Sequence, residues 1–328
     1  MPRRQFCKHG MTFNRTENPM TASILVLGAG ELGLAVLRQL ARLAAPQNVP
    51  VTVLLRPATL NSLDPAKQQE ITELRALGIE LLAGDLANGS EAELATVFAN
   101  YHTVISCIGF AAGPGTQRKL THAVIAGGVK RYVPWQFGVD YDVIGRGSAQ
   151  DLWDEQLDVR DLLRDQQGTQ WVIVSTGMFT SFLFEPSFGV VDLAQNTVRA
   201  LGDWDTAVTV TTPEDIGLLT ARILFSEPPI VNRVVYTAGD TLTYGELAET
   251  VDAQLGLTLK RERWSVTYLE AELAAAPEDN LLKYRVAFAQ GHGVAWDPAV
   301  TFNAQQQIAV TSVAQWIEQN LKAPATTR

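Results

Sequence analysis

Six consecutive residues, Gly28-Ala29-Gly30-Glu31-Leu32-Gly33, have the types and spacing to hold an anion. They follow an aliphatic run, Ser23-Ile24-Leu25-Val26-Leu27, and open an amphipathic stretch that continues to Leu43. In a strand–turn–helix setting Gly28 permits the tight turn, Gly30 lets backbone approach a pyrophosphate, and Gly33 lets helix and strand pack closely. The first amides of the helix, at Glu31, Leu32 and Gly33, then face the phosphates. A second aliphatic run, Val51 to Leu55, ends in Arg56. An acidic residue at that place would hold ribose hydroxyls, whereas a guanidinium suits a ribose 2′-phosphate, which it grips with two hydrogen bonds. Thr59 and Lys67 follow and add a hydroxyl and a point charge. The expected ligand is NADP(H) rather than NAD(H).

Three further stretches carry candidate chemistry. Ser106-Cys107-Ile108-Gly109-Phe110 ends a fourth aliphatic run, where the nicotinamide ribose of such a ligand lies. Gly109 allows close approach, Phe110 covers the ring, and Cys107 reads as a small buried apolar residue. Gly84-Asp85-Leu86 is expected on the adenine side, with Asp85 a turn cap or an adenine contact. In Asp151 to Leu163, the residues Leu152, Gln156, Val159 and Leu163 fall on one helical face, so an amide, Gln156, sits on the stripe that points inward. Tyr141, between Asp140 and Asp142, is a candidate acid. Ser148 is the expected cap of the helix containing Gln156, and Asp154 and Glu155 favour its N-terminal dipole. Met178, Phe179, Phe182 and Phe184 either line a pocket for a flat substrate or form interface core.

The elements that position these residues alternate. Short β-branched runs without polar alternation are strands buried on both faces, and amphipathic helices separate them. One of these helices is expected to start near Pro114. The pattern predicts an α/β, Rossmann-type, doubly wound parallel sheet with a smaller α/β substrate-binding region. Residues 1–22 are expected to be a disordered tail and 23–175 the dinucleotide-binding domain, with the chain returning to it near 207–226. Residues 176–328 are expected to be mainly substrate-binding. The chain has 328 residues, is 46% hydrophobic and carries a formal net charge of -9, with an isoelectric point near 5.0. That balance argues against nucleic acid as a partner. No apolar run is long enough to span a membrane. Cys7 and Cys107 make no disulfide framework, and the four histidines have no metal-ligand spacing, so a reducing cytoplasmic compartment and no metal are expected. The oligomeric state stays open.

Several segments resemble the NmrA-like, isoflavone reductase and phenylcoumaran benzylic ether reductase group of atypical short-chain dehydrogenases. They include Val104-Ile105-Ser106-Cys107-Ile108-Gly109, Thr116-Gln117, Lys130 to Gly138, Leu201-Gly202-Asp203, Pro213 to Gly217 and Leu242 to Leu247. The resemblance implies NADPH-dependent reduction of a small aromatic or phenolic substrate. It adds Gln117 to the coenzyme contacts and Gln136 and Phe137 to the substrate contacts. It also implies a catalytic lysine in the helix after the Phe137-Gly138 segment. Aligning Val159-Arg160 with the family pair places that lysine at Gln156, which can orient a substrate but cannot act as an ammonium acid. The Tyr-x-x-x-Lys pair of short-chain dehydrogenases is also missing, since Gln136 follows Tyr132 at that spacing and Gly145 follows Tyr141. These losses keep open a second reading, a non-catalytic NADP(H)-sensing regulator that binds a protein partner.

Overall fold

The computed structural model describes residues 23–110 and 113–322; the expected tail lies outside them. The chain begins β1 (Ile24–Leu27), α1 (Glu31–Ala44), β2 (Val51–Leu55), α2 (Pro57–Leu60), α3 (Pro65–Ala76), β3 (Glu80–Ala83), α4 (Glu91–Phe98), β4 (Thr103–Ser106), α5 (Thr116–Ala126) and β5 (Arg131–Val133). It continues α6 (Tyr141–Ile144), α7 (Leu152–Arg164), β6 (Gln170–Ser175), β7 (Met178–Phe179), β8 (Val191–Asp192), β9 (Thr197–Leu201), β10 (Ala207–Thr211) and α8 (Pro213–Leu224). Then come β11 (Arg233–Tyr236), β12 (Asp240–Thr243), α9 (Tyr244–Leu255), β13 (Lys260–Trp264), α10 (Val266–Ala275), α11 (Asn280–Ala289), α12 (Phe302–Gln305) and α13 (Val313–Asn320).

Seven strands form one sheet in the order β11-β6-β5-β4-β1-β2-β3. All its pairings are parallel. The aliphatic runs supply both faces: Ile24 and Val26 of β1 join one core cluster, and Leu25 and Leu27 join the other. Period-two alternation of side chains puts a layer of helices on each face. Order reverses beside β1, between β2 and β4, and a crevice opens there at the carboxyl ends of the strands.

The second half of the chain is interlaced with this sheet. The run at 207–211 joins β12 and β7 in a separate three-stranded sheet, so it is not the returning strand. The return is made by β11, parallel to β6, and by α8, which packs along α1. Gly217 permits that packing, because a Cβ there would stand 2.5 Å from the Ala35 backbone. A third sheet, β13-β9-β8, completes the second half around its own core.

Two helix starts differ from expectation. α5 begins at Thr116, because Gly115 occupies its N-cap in a left-handed conformation (φ +82°). α7 is preceded by Asp151, which makes no side-chain cap, while the Ser148 hydroxyl donates to the Gln150 carbonyl. No helix among the described residues is long and apolar enough to cross a membrane.

Candidate active site

Two cavities adjoin at the carboxyl edge of the seven-stranded sheet. The first, about 470 Å³, is built from the ends of β1, β2, β3 and β4 and is lined by Gly28, Gly30, Arg56, Thr59, Lys67, Ile108 and Gly109, among others. The turn between β1 and α1 explains the glycines. Gly28 has φ +88°, and a Cβ there would meet Ile108 Cδ1 at 2.4 Å. A Cβ on Gly33 would meet the Gly28 carbonyl at 2.3 Å, whereas one on Gly30 would meet nothing within 4 Å. The turn is thus closed by packing at two corners and open toward the cavity at the third. Gly30 caps α1 without a side chain, so the first amides of that helix have no intrahelical acceptor.

Arg56, at the end of β2, is exposed, and its side chain makes no hydrogen bond or ion pair among the described residues. Lys67 is tethered to Glu70, 2.8 Å away. Cys107 also lines this cavity, and burial pushes its thiol up to about 12, so it stays protonated. Several expected coenzyme residues do not line it. Glu31, Leu32 and Gly33 lie in the first turn of α1, behind its N-cap Gly30, which does line the cavity. Asp85 caps its own turn, accepting from the amides of Ala87 and Asn88 and from the Asn88 side chain. These bonds, the Asn88 side chain first, hold its carboxyl below the usual range. Ser106 is fully buried. Gln117 donates to the Ile108 carbonyl at 2.8 Å and so fixes the segment that does line the cavity.

The second cavity, about 340 Å³, is almost wholly apolar in its lining. Phe110, Phe137, Met178, Phe179 and Phe182 line it, as expected, and Tyr141 does too. Phe184 instead stacks on Trp316, ring centroids 4.6 Å apart, away from the cavity. Four lining aromatics were missed from sequence: Trp135, Trp153, Tyr284 and Phe288. Phe110 meets Trp135 edge-on at 4.7 Å, and Trp153 meets Tyr141, Tyr284 and Phe288 edge-on at 5.9, 5.8 and 6.1 Å. Tyr284 and Phe288 are one helical turn apart on α11, and that spacing was the available signal.

Gln156 and Gln136 form the framework behind this wall instead of the wall itself. Gln156 Nε2 donates to the Trp135 carbonyl (3.1 Å), and Gln136 Nε2 donates to the Gln156 carbonyl (2.8 Å). Arg160, fully buried, donates from Nε to Gln136 Oε1 at 2.8 Å and from a terminal nitrogen to Asp142 at 2.6 Å. Its guanidinium lies 5.3 Å over the Tyr141 ring. Thus Gln156 points inward, as the helical stripe requires, yet it is spent holding Trp135. Its Oε1 is buried without an acceptor bond in good geometry, and the Tyr141 hydroxyl is close enough to interact with the amide. Burial first, then the neighbouring Tyr284, pushes the Tyr141 phenol well above its ordinary range, and Arg160 and Gln156 oppose that only in part. Among the described residues no group of carboxylates, histidines and cysteines could hold a metal.

Residues 20–306 match the NmrA-like family model. An NmrA-like family domain-containing oxidoreductase from Gibberella moniliformis is 49% identical over 300 residues, covering 91% of this chain and 98% of the relative. A phenylcoumaran benzylic ether reductase from Pyrus communis is 26% identical and covers 79% of each chain. The solved structure of a leucoanthocyanidin reductase–NADPH binary complex from Vitis vinifera superposes with a TM-score of 0.71 at 20% identity, over 90% of this chain and 98% of that one. With a family model spanning most of its length and a half-identical relative aligned nearly end to end, the chain belongs to the NmrA-like family.

Proposed function

We propose that this protein is an NADP(H)-dependent reductase of a small aromatic substrate. The observation that carries the reading is the junction of two unlike cavities at Gly109 and Phe110: one has an open glycine turn and an unpaired guanidinium, the other a wall of aromatics. The oxidoreductase among its relatives and the NADPH held by the Vitis vinifera structure agree with it. The division into a dinucleotide-binding part, 23–175, and a mainly substrate-binding part is part of the same proposal.

The residues present fit the coenzyme. Gly28 and Gly33 admit no side chain, Gly30 leaves its face of the turn open, and Gly28, Ala29 and Gly30, which lead into the N-terminus of α1, line the cavity. Arg56, with Thr59 and Lys67, would take the 2′-phosphate, and Ile108 and Gly109, fixed through Gln117, would flank the nicotinamide end. When bound, the coenzyme supplies hydride. The chain's own residues do the remainder. Phe110, Phe137, Met178, Phe179 and Phe182 exclude water and orient a flat substrate. The Tyr141 hydroxyl donates a hydrogen bond to the substrate oxygen. Gln156 is a positioning residue, holding Trp135 and meeting Tyr141.

The test is the dissociation constants of NADPH and NADH for the wild type and Arg56→Ala. Loss of a charge-assisted phosphate grip is expected to weaken NADPH by roughly 10- to 100-fold and to leave NADH nearly unchanged. Equal loss for both coenzymes, or none for NADPH, overturns the assignment.

A further inference from the structure

Trp135 stands between the two cavities. It lines the apolar one, and it packs on Gly109, which lines the other. A Cβ on Gly109 would stand 3.0 Å from Trp135 Cζ2 and 3.3 Å from Cε2, so the bare glycine lets the indole lie this close to the chain leaving β4. Phe110 closes on the indole edge-on, with ring centroids 4.7 Å apart. The backbone behind it is fixed as well. Gln156 Nε2 holds the Trp135 carbonyl, and the next residue, Gln136, is held by the Gln156 carbonyl and by Arg160. The half-buried indole is therefore set in place before any ligand arrives.

The charges around this junction are committed elsewhere. Neither cavity is lined by a carboxylate among the described residues. Asp140 and Asp142 pair with Arg160, and the Tyr236 hydroxyl donates to Asp140 at 2.6 Å. Glu155 accepts from the backbone of Gly115 and Arg118, and Asp85 caps its own turn. Glu31 interacts with Glu214 and lines neither cavity. The Cys107 thiol stays protonated. Arg56 follows β2, two strands from β4 in the sheet, and Lys67 is on α3.

The two forms of a nicotinamide ring differ in charge. The oxidised ring is a positive pyridinium and the reduced ring is neutral, whereas the phosphates are common to both and cancel in a comparison. With no anionic side chain lining the Gly109 end, what can tell the forms apart there is an electron-rich aromatic face, and indole offers the strongest one among side chains.

We propose that Trp135 is a wall of the nicotinamide site and that its indole favours the oxidised ring over the reduced one. This rests on the reductase reading above and adds to it a determinant of coenzyme redox preference. Tighter binding of the oxidised form makes the bound reduced form a stronger hydride donor, because the equilibrium on the protein moves by the ratio of the two affinities. Trp135 thus drives the pair of cavities toward reduction of whatever acceptor occupies the apolar one.

The test is the dissociation constants of NADP+ and NADPH for the wild type, Trp135→Phe and Trp135→Leu. In Trp135→Leu, NADP+ is expected to bind about three- to tenfold more weakly and NADPH to change by less than about twofold, with Trp135→Phe in between. Wild type with NADP+ is also expected to show a charge-transfer absorption on the long-wavelength side of the indole and pyridinium bands. Trp135→Leu should lack it, as should wild type with 2′-phospho-ADP-ribose, which has no nicotinamide. The wild-type spectrum decides the matter even if the substitutions unfold the protein. Absence of that band, or an equal loss of both coenzyme forms in Trp135→Leu, overturns the role of Trp135 and leaves the reductase reading standing. Failure of the wild type to bind either form overturns the reductase reading and this inference with it.

Discussion

Tyr141 shows how little of a side chain's chemistry resides in its type. The phenol sits at the cavity wall under the Arg160 guanidinium, yet burial dominates and keeps it protonated. Its role is that of a fixed donor, and removing one preorganised donor to a developing oxyanion costs about 10² in rate. Tyr141→Phe is therefore expected to lower kcat/KM for the acceptor by about that factor and to leave NADPH affinity unchanged; a shifted coenzyme affinity would argue against the placement. The sign of the shift also fixes the pH profile. A raised phenol stays protonated everywhere below its ordinary value, so no tyrosine limb is expected in kcat/KM below about pH 10. At this scale the glycine turn and Arg56 were legible in the sequence, because their chemistry is local to a strand end. Trp153, Tyr284 and Phe288 were not, because each reads as ordinary core until α7 and α11 are brought together.

The helices hold one another by partners distant in sequence. Glu155, on α7, was read as a charge favouring its own helix dipole, but its carboxylate caps α5, accepting from Gly115 N at 2.8 Å and Arg118 N at 3.1 Å. Gly115, at the N-cap of α5, has no side chain to do so. The capped end of α5 lies five residues after Phe110, which lines the cavity. Glu155→Ala is expected to lower stability by about 1–2 kcal/mol, read from thermal or denaturant unfolding, and to raise KM for the acceptor more than it lowers kcat. Glu155→Gln should recover part of both. An unchanged melting temperature would show that the cap is dispensable. The alternation of strands and helices was legible from hydrophobic period alone. This cap was not, since nothing in the sequence couples residue 155 to residue 115 until α5 and α7 pack side by side.

Across the whole molecule the two halves share elements. β11 and α8, both from the second half, complete the sheet and the helix layer of the first. The halves are expected to unfold in one transition, and NADPH at about 100 times its dissociation constant to stabilise it by about 2.7 kcal/mol, raising the melting temperature by roughly 4 °C. Two calorimetric peaks, with only one moved by coenzyme, would contradict this. The parallel, doubly wound sheet was readable from the alternation of strands and helices. The final edge strand was not, because the chain visits two other sheets before β11 reaches β6.

Gly109 lines one cavity and Phe110, the next residue, lines the other. A single peptide unit thus forms a party wall between two tenants. Whatever free energy occupancy on one side lends to binding on the other must be returned in equal measure, since linkage is reciprocal. The order in which coenzyme and acceptor arrive can alter the kinetics but not that sum, and a substitution at either residue will be felt on both sides of the wall.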